Sequence, residues 1–279
     1  MRKFLLLVVM LSLVAVSAPL QAQEAYNAPV VPSLSGRVRQ IYLAGQRMGN
    51  RADVFAEVGD SITITREFMW NIGVGGLHLD TYTNLQPVVD FFTRSHNSFE
   101  WKGLAARSGW TSFNVLDPNA APDEICAPEE NPLVCELRIL HPSIALIMIG
   151  TNDAMFGIPA DQYRQNLRAI VQTCIDKGVI PVLSTIPDNF TSPETGQRVH
   201  EINAIIISVA REYSIPLWNY WLALQSLPNK GISGDSIHPS SPPNGEAGIF
   251  TPEGLGHGYN VRNLTGLQVL DAIWRGAMY

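Results

Sequence analysis

The chain has 279 residues, 46% hydrophobic and 16% charged, a composition that excludes disorder and leaves ample length for a sizeable core. Its formal net charge is −6 and it has no basic run, which argues against a nucleic-acid partner. Arg2 and Lys3 open the chain, followed by an apolar run from Phe4 to Val16 broken only by Ser12, then Pro19 and Ala22. That is the order of a secretory signal peptide. The run is short for the ~30 Å of a bilayer core, and no cysteine follows it to take a lipid anchor. Residues 1–22 are therefore expected to be a cleaved signal peptide and the mature chain to be secreted or extracytoplasmic. Losing Arg2 and Lys3 from 19 basic residues leaves 17 against 25 acidic ones, so the mature chain sits near −8. No second apolar run is long enough to cross a membrane, and no stable insertion of the mature chain is expected.

Residues 23–50 read as a lead-in and a short helix. Gln23 to Ser35 is polar and contains prolines. Ser35 is placed to cap a helix through Met48, with Val38, Ile41, Tyr42 and Met48 on one side. From residue 51 to 279 there is no repeat and no clean linker, so this stretch reads as one domain. Val54 to Val58 is short, apolar and bounded, as a buried strand is. The stretch 63–100 is ambiguous. Its Gly73, Gly75 and Gly76 fail the G-x-G-x-x-G spacing, since position 78 is His, and no Walker lysine follows. They read as a flexible turn near the site.

Cys126 and Cys135 bracket a Pro- and Glu-rich loop that a bridge between them would pin. Export favours disulfides, although spacing alone does not fix the pairing. Ile144 to Ile149 reads as a second buried strand ending at Gly150. Asp161 to Lys177 carries Tyr163, Leu167, Ile170, Val171 and Cys174 at helical spacing, with Gly178 as the stop. Cys174 on that apolar face reads as a buried free thiol. Val179 to Ser184 is a third strand, with Pro181 arguing for an edge or a bulge. Gln197 to Tyr213 is helical, Leu217 to Tyr220 a short strand, and Leu267 to Trp274 a closing helix. Apolar strands alternating with amphipathic helices argue for a parallel, doubly wound α/β sheet.

The chemistry begins at Gly59-Asp60-Ser61, just past the end of the first strand, where open α/β sheets collect ligands. Serine needs a base, a group to orient that base, and donors for an oxyanion. Ser61 is the candidate nucleophile and His238 the base. Asp235, three residues before the histidine, is placed to hold its Nδ1–H. The backbone N–H groups of Ser61 and Gly109 and the side-chain amide of Asn152 are candidate oxyanion donors, with Gly103 as the fallback for Gly109.

The tetrapeptide Gly-Asp-Ser-Ile occurs twice, at 59–62 and 234–237, which makes Ser236 a rival nucleophile. No strand precedes Ser236, however, and it sits inside the Asp235–His238 turn. Asp60 reads as a helix cap and Asp153 as a fixer of the loop carrying Asn152. Trp110 reads equally well as an acyl-pocket wall or as core packing. The remaining histidines show no paired metal-ligand spacing, so neither metal nor other cofactor is expected.

Four blocks in this order, Gly59-Asp60-Ser61-Ile62, Ser108-Gly109-Trp110-Thr111, Gly150-Thr151-Asn152-Asp153 and Asp235-Ser236-Ile237-His238, resemble those of the SGNH (GDSL) hydrolase superfamily. The resemblance implies a flavodoxin-like three-layer α/β/α sandwich with a parallel sheet over residues 51–279. It also implies metal-free ester hydrolysis through an acyl-serine. The expected substrate is a small-molecule or polysaccharide ester, with a carbohydrate O-acetylesterase weakly preferred. A lipase or acyltransferase on the same scaffold, or a non-catalytic glycan-binding protein, is the alternative. One departure from the family's usual ending stands out: the loop 239–263 between the histidine and the closing helix is long, and such loops are often functional.

Overall fold

In the computed structural model, which describes residues 27–279, the first strand, β1 (Arg51–Gly59), is the hub of the sheet. Val54, Phe55, Ala56 and Val58 are fully buried in it. The Phe55 ring meets Phe92 and Phe99 edge-on, at 5.4 and 5.1 Å between centroids. β1 pairs in parallel with β2 (Pro142–Met148), Phe55 lying opposite Ile144 and Gly59 opposite Met148. β2 pairs with β3 (Ile180–Ser184), and β3 with β4 (Leu217–Trp218), giving the order β1-β2-β3-β4. On its other side β1 takes a single parallel bridge, Gly59 to Ala106. Its two bonds run from Gly59 N–H to the Ala105 carbonyl (3.1 Å) and from Arg107 N–H to the Gly59 carbonyl (3.2 Å). The chain therefore leaves β1 on one side, returns across it, and continues on the other. That reversal is the point at which open α/β sheets form a crevice beyond the strand ends.

The helices cover both faces. α1 (Gly36–Arg47), α4 (Gln86–Phe92) and α10 (Gly258–Ala277) pack together against β1, β2 and β3. On the opposite face, α5 (Pro132–Leu140), α7 (Ala160–Asp176) and α8 (Pro193–Tyr213) form the other layer. Shorter helices lie between: α2 (Ser61–Ile64), α3 (Trp70–Gly73), α6 (Thr151–Met155) and α9 (Tyr220–Leu224). This is the parallel α/β sheet expected from the pattern, in the three-layer α/β/α sandwich that the resemblance implied. The expected signal peptide at residues 1–22 lies outside the described residues. Among the described residues no helix is long and apolar enough to cross a membrane.

Several boundaries differ from the sequence reading, each for a local reason. Ser35 precedes α1, but its hydroxyl donates to the Ser214 carbonyl (2.7 Å) and not to the helix. Met48, expected on the buried side, is 57% exposed at the helix end. The fourth strand stops at Trp218 because Asn219 turns to cap α9, its side chain accepting the Leu222 N–H. Pro181 faces Ala145 of β2 and lies beyond the two residues of β4, so its missing N–H costs the sheet nothing there. The closing helix begins at Gly258, not Leu267. Its first turns carry Asn260, Arg262 and Asn263, all buried, so polarity there hides the helix from a periodicity reading. The long loop after His238 is correspondingly shorter, ending at His257.

Cys126 and Cys135 are joined by a disulfide with Cα atoms 5.4 Å apart. Cys174 is a buried free thiol whose pKa burial pushes up to about 12.

Candidate active site

Gly59 ends β1 where nothing larger fits: a Cβ there would lie 2.3 Å from the Met148 carbonyl oxygen and 2.4 Å from the Thr63 hydroxyl. The buried Asp60 then caps α2, its carboxylate accepting the Ile62 N–H at 3.0 Å. Burial raises its pKa to about 6, against the opposing pull of the Ile62 N–H and Arg262. Ser61 is thus the first residue of a four-residue helix, held at the mouth of the crevice.

His238 reaches Ser61 from the far end of the chain, Nε2 to Oγ at 2.9 Å. Its Nδ1 lies 2.6 Å from Asp235 Oδ2. The two oxygens of Asp235 divide the work. While Oδ2 holds the ring, Oδ1 accepts the Ser233 hydroxyl (2.7 Å) and the N–H groups of Ile237 and His238 (both 2.9 Å). Partial burial is the largest single influence on this carboxyl and pushes its pKa upward. The four hydrogen bonds together outweigh it and hold the group well below the usual carboxylate range. Ser236 is built into the same turn with φ +68°, its N–H on the Ser233 carbonyl and its own carbonyl on the Phe190 N–H. It is Ser61, not Ser236, that meets the imidazole.

The remaining two blocks are laced to each other. Gly150 adopts φ +137°, a conformation closed to other residues, with Tyr163 and Ile202 packed against it. Asn152, in α6, donates from Nδ2 to the Trp110 carbonyl at 2.9 Å. Asp153 accepts the Ser112 N–H (2.9 Å) and hydroxyl (2.6 Å). Gly109 lies in the loop so held, at φ +80° with open space where a Cβ would stand. Among the described residues no backbone acceptor takes its N–H. Asn152 has a second amide hydrogen beyond the one on Trp110. Gly103 is elsewhere, pressed against Glu136. Trp110 is buried in the core and does not line the cleft, which leaves it a packing role. The Gly-rich turn at 73–76 docks on Gly248 and does not line the cleft either.

The cleft over Ser61 and His238 has a volume of about 450 Å³; its other lining residues are Thr65, Glu67, Ser233, Pro239, Ser241 and Tyr259. Among the described residues no three His, Cys, Asp or Glu side chains cluster as a metal would need.

Residues 58–242 match the family model described as GDSL-like Lipase/Acylhydrolase. The chain belongs to that family. A relative, thioesterase 1/protease 1/lysophospholipase L1 of Escherichia coli K12, is 30% identical over 107 residues, which are 37% of this chain and 49% of that protein. The chain thus matches about half the length of this curated relative. Similar solved structures include a GDSL-like lipase from Bacteroides thetaiotaomicron, at 16% identity and TM-score 0.48, covering 84% of this chain and 97% of that one. Another is an acetyl xylan esterase from Geobacillus stearothermophilus, at 17% identity and TM-score 0.49, covering 77% and 93%.

The GDSL match stops before α10, and the structure places an important residue there that sequence reasoning missed. Arg262 is buried, its guanidinium donating to the Ile62 carbonyl and to the Thr63 hydroxyl (3.0 Å), with its Cζ 3.6 Å from the centroid of the Phe68 ring. It holds the turn bearing Ser61 from below. Two buried acids were also missed. Glu57 lies in β1 with Lys102 at 3.5 Å. Glu136 accepts the Leu104 N–H (2.7 Å) and the Trp101 Nε1–H (2.8 Å), pinning the segment that leads to Gly109. Burial raises the pKa of each to about 7. The one available signal was a glutamate inside the apolar run Val54–Gly59, since an acid so placed needs a partner.

Proposed function

We propose that this chain is a serine esterase that hydrolyses carboxylic esters through an acyl-Ser61 intermediate. The observation that carries the reading is the unbroken relay from Asp235 Oδ2 through His238 to Ser61 Oγ, with spacings of 2.6 and 2.9 Å, at the floor of an open cleft. His238 Nε2 takes the Ser61 proton as Oγ attacks the ester carbonyl. The N–H groups of Ser61 and Gly109 and the free amide hydrogen of Asn152 receive the developing oxyanion. The imidazolium gives its proton to the departing alcohol, and Asp235 holds the ring in the required tautomer. Water then repeats the cycle on the acyl-serine, releasing acid and restoring Ser61.

The cleft's hydroxyl-rich lining supports a short acyl group on a polar alcohol, such as an O-acetylated carbohydrate. Burying a long chain draws ~0.8 kcal/mol per methylene from apolar contact, and Pro239 and Tyr259 are the main apolar surfaces in the cleft. A lipid reading has one observation in its favour: Phe113, Phe156 and Phe190 are 56%, 63% and 42% exposed on loops beyond the strand ends. The leader-like residues 1–22 support action outside the cytoplasm.

The test is labelling with a fluorophosphonate followed by peptide mapping. An adduct on Ser61 that disappears in His238→Ala is expected. Labelling of Ser236, or no labelling of the folded protein, would overturn the assignment.

A further inference from the structure

We propose that Glu67 sets the charge preference of the cleft, so that the enzyme turns over esters with neutral, hydroxyl-bearing alcohol parts and disfavours those carrying an anion. This rests on the reading of Ser61 as nucleophile and deepens it.

Three observations carry the inference. First, among the described residues, and apart from the histidine that meets Ser61, Glu67 is the only ionisable group of ordinary carboxylate or amine type lining the cleft; no described lysine or arginine lines it. An anionic substrate group finds no cation there to pair with, and desolvating a charge without a partner is costly. Second, the carboxylate is held in place. Thr65 ends α2, and its hydroxyl bonds the Glu67 carboxylate while also accepting the Glu67 N–H (3.3 Å). Asn263 of α10 then clamps both sides of the segment, donating to the Glu67 carbonyl (2.7 Å) and accepting the Met69 N–H (2.9 Å). The backbone of Glu67 is therefore fixed, and its carboxylate meets the Thr65 hydroxyl at the wall of the cleft. Third, the cation beneath this wall is already committed. The Arg262 guanidinium is spent beneath the wall on the Ile62 carbonyl, the Thr63 hydroxyl and the Phe68 ring.

The rest of the lining suits a hydroxylated alcohol. Ser241 presents a hydroxyl, while those of Thr65 and Ser233, whose hydrogens are committed to Glu67 and Asp235, keep acceptor lone pairs. Tyr259 adds a phenol whose pKa burial pushes well above the ordinary value, Arg262 opposing the shift and the carboxylates of Glu67, Asp60 and Asp235 reinforcing it. It stays a neutral donor. Glu67 itself is an acceptor for sugar-type hydroxyls, as a carboxylate takes up to two per oxygen.

Like charges several ångströms apart in a partly solvated cleft repel by an amount worth on the order of a 10-fold change in kcat/KM. The test uses two acetate esters with closely similar phenol leaving groups, 4-acetoxyphenylacetamide and 4-acetoxyphenylacetate, which differ by one negative charge. The purified chain is expected to prefer the amide by about 10-fold at low salt, with the preference shrinking at high salt as screening sets in. In Glu67→Gln the ratio should fall to within about 2-fold, and in Glu67→Lys it should invert. Reading a ratio within each variant removes any general loss of activity or fold. A ratio unchanged by either substitution, or no preference in the unaltered chain, overturns the proposal while leaving the esterase reading intact. If neither ester is cleaved and Ser61 takes no fluorophosphonate, the esterase reading fails and this inference falls with it.

Discussion

Arg262 and Thr63 are 199 positions apart in the chain, yet the guanidinium donates to the hydroxyl at 3.0 Å. Through this contact and the bond to the Ile62 carbonyl, the closing helix holds the turn that presents Ser61. Arg262→Met keeps much of the apolar stem and removes the fork. It should cost ~2–4 kcal/mol of stability, because buried acceptors lose their donor and the buried acids lose a neighbouring cation. Arg262→Lys should recover only part, since an ammonium cannot span both acceptors and stack on Phe68. Urea unfolding of the three proteins measures this. Equal midpoints for all three would show that the clamp carries no energy.

Asp235 gives a sharper separation of structure from chemistry. In Asp235→Asn one side-chain oxygen remains to accept the Ile237 and His238 N–H groups, so the turn should survive. The amide cannot stabilise the imidazolium and favours the wrong ring tautomer. A drop of roughly 10³–10⁴ in kcat is expected, on the scale seen when other triads lose this charge. Thermal unfolding should move by only a few degrees. A variant retaining a tenth of the activity would remove Asp235 from the mechanism.

What could be read from the sequence was local. Val54 to Gly59 followed by Asp60 and Ser61 is a strand end running into a helix start, and both are decided by neighbours in the chain. The Asp235–His238 turn is likewise organised within four residues, so spacing alone predicted its geometry. The contributions of Arg262, Glu67 and Glu136 were not legible, because each depends on an element far away in sequence. Arg262 and Asn263 even disguised their own helix, since buried polar residues break the amphipathic pattern that marks a helix. The length of the loop after His238 was overestimated for the same reason.

The Cys126–Cys135 bridge spans 9 positions and ties the irregular loop before α5 to the first turns of that helix. Closing so short a loop in the unfolded chain is worth about 2–3 kcal/mol on the chain-entropy model. The loop also has a second tie, Arg138 to Glu130 through paired contacts of 2.7 and 2.8 Å. Replacing both cysteines by serine should therefore lower the melting temperature by roughly 5–10 °C and leave the native fold in place. Esterase activity at 25 °C should persist, because neither cysteine lines the cleft. Differential scanning calorimetry of the double variant, with an assay of the same sample, checks both statements. Loss of activity without a fall in melting temperature would contradict them.

The buried acids make a prediction about pH that runs against the usual behaviour of carboxylates. Burial lifts Glu57 and Glu136 to about 7 and Asp60 to about 6 in the folded chain. Unfolded, each would titrate near an ordinary ~4 to 4.5. Between those limits the native state binds protons that the unfolded state has released, so stability falls as pH rises. The contribution is fully present below the unfolded values, drains away through pH ~7, and is flat above. Lys102 and Arg262 already temper the values of Glu57 and Asp60, and each group is worth ~1.4 kcal/mol per pH unit while it stays protonated only in the folded chain, so a decline of several kcal/mol between pH 5 and 8 is expected. Asp235 acts in the opposite sense: its depressed pKa favours folding above the ordinary carboxylate range and loses that favour only in stronger acid. Urea titrations at half-unit steps would trace the slope. Glu57→Gln should make it shallower by that group's share, because the amide cannot take up or release the proton in question; a slope identical in the two proteins would place the titration elsewhere.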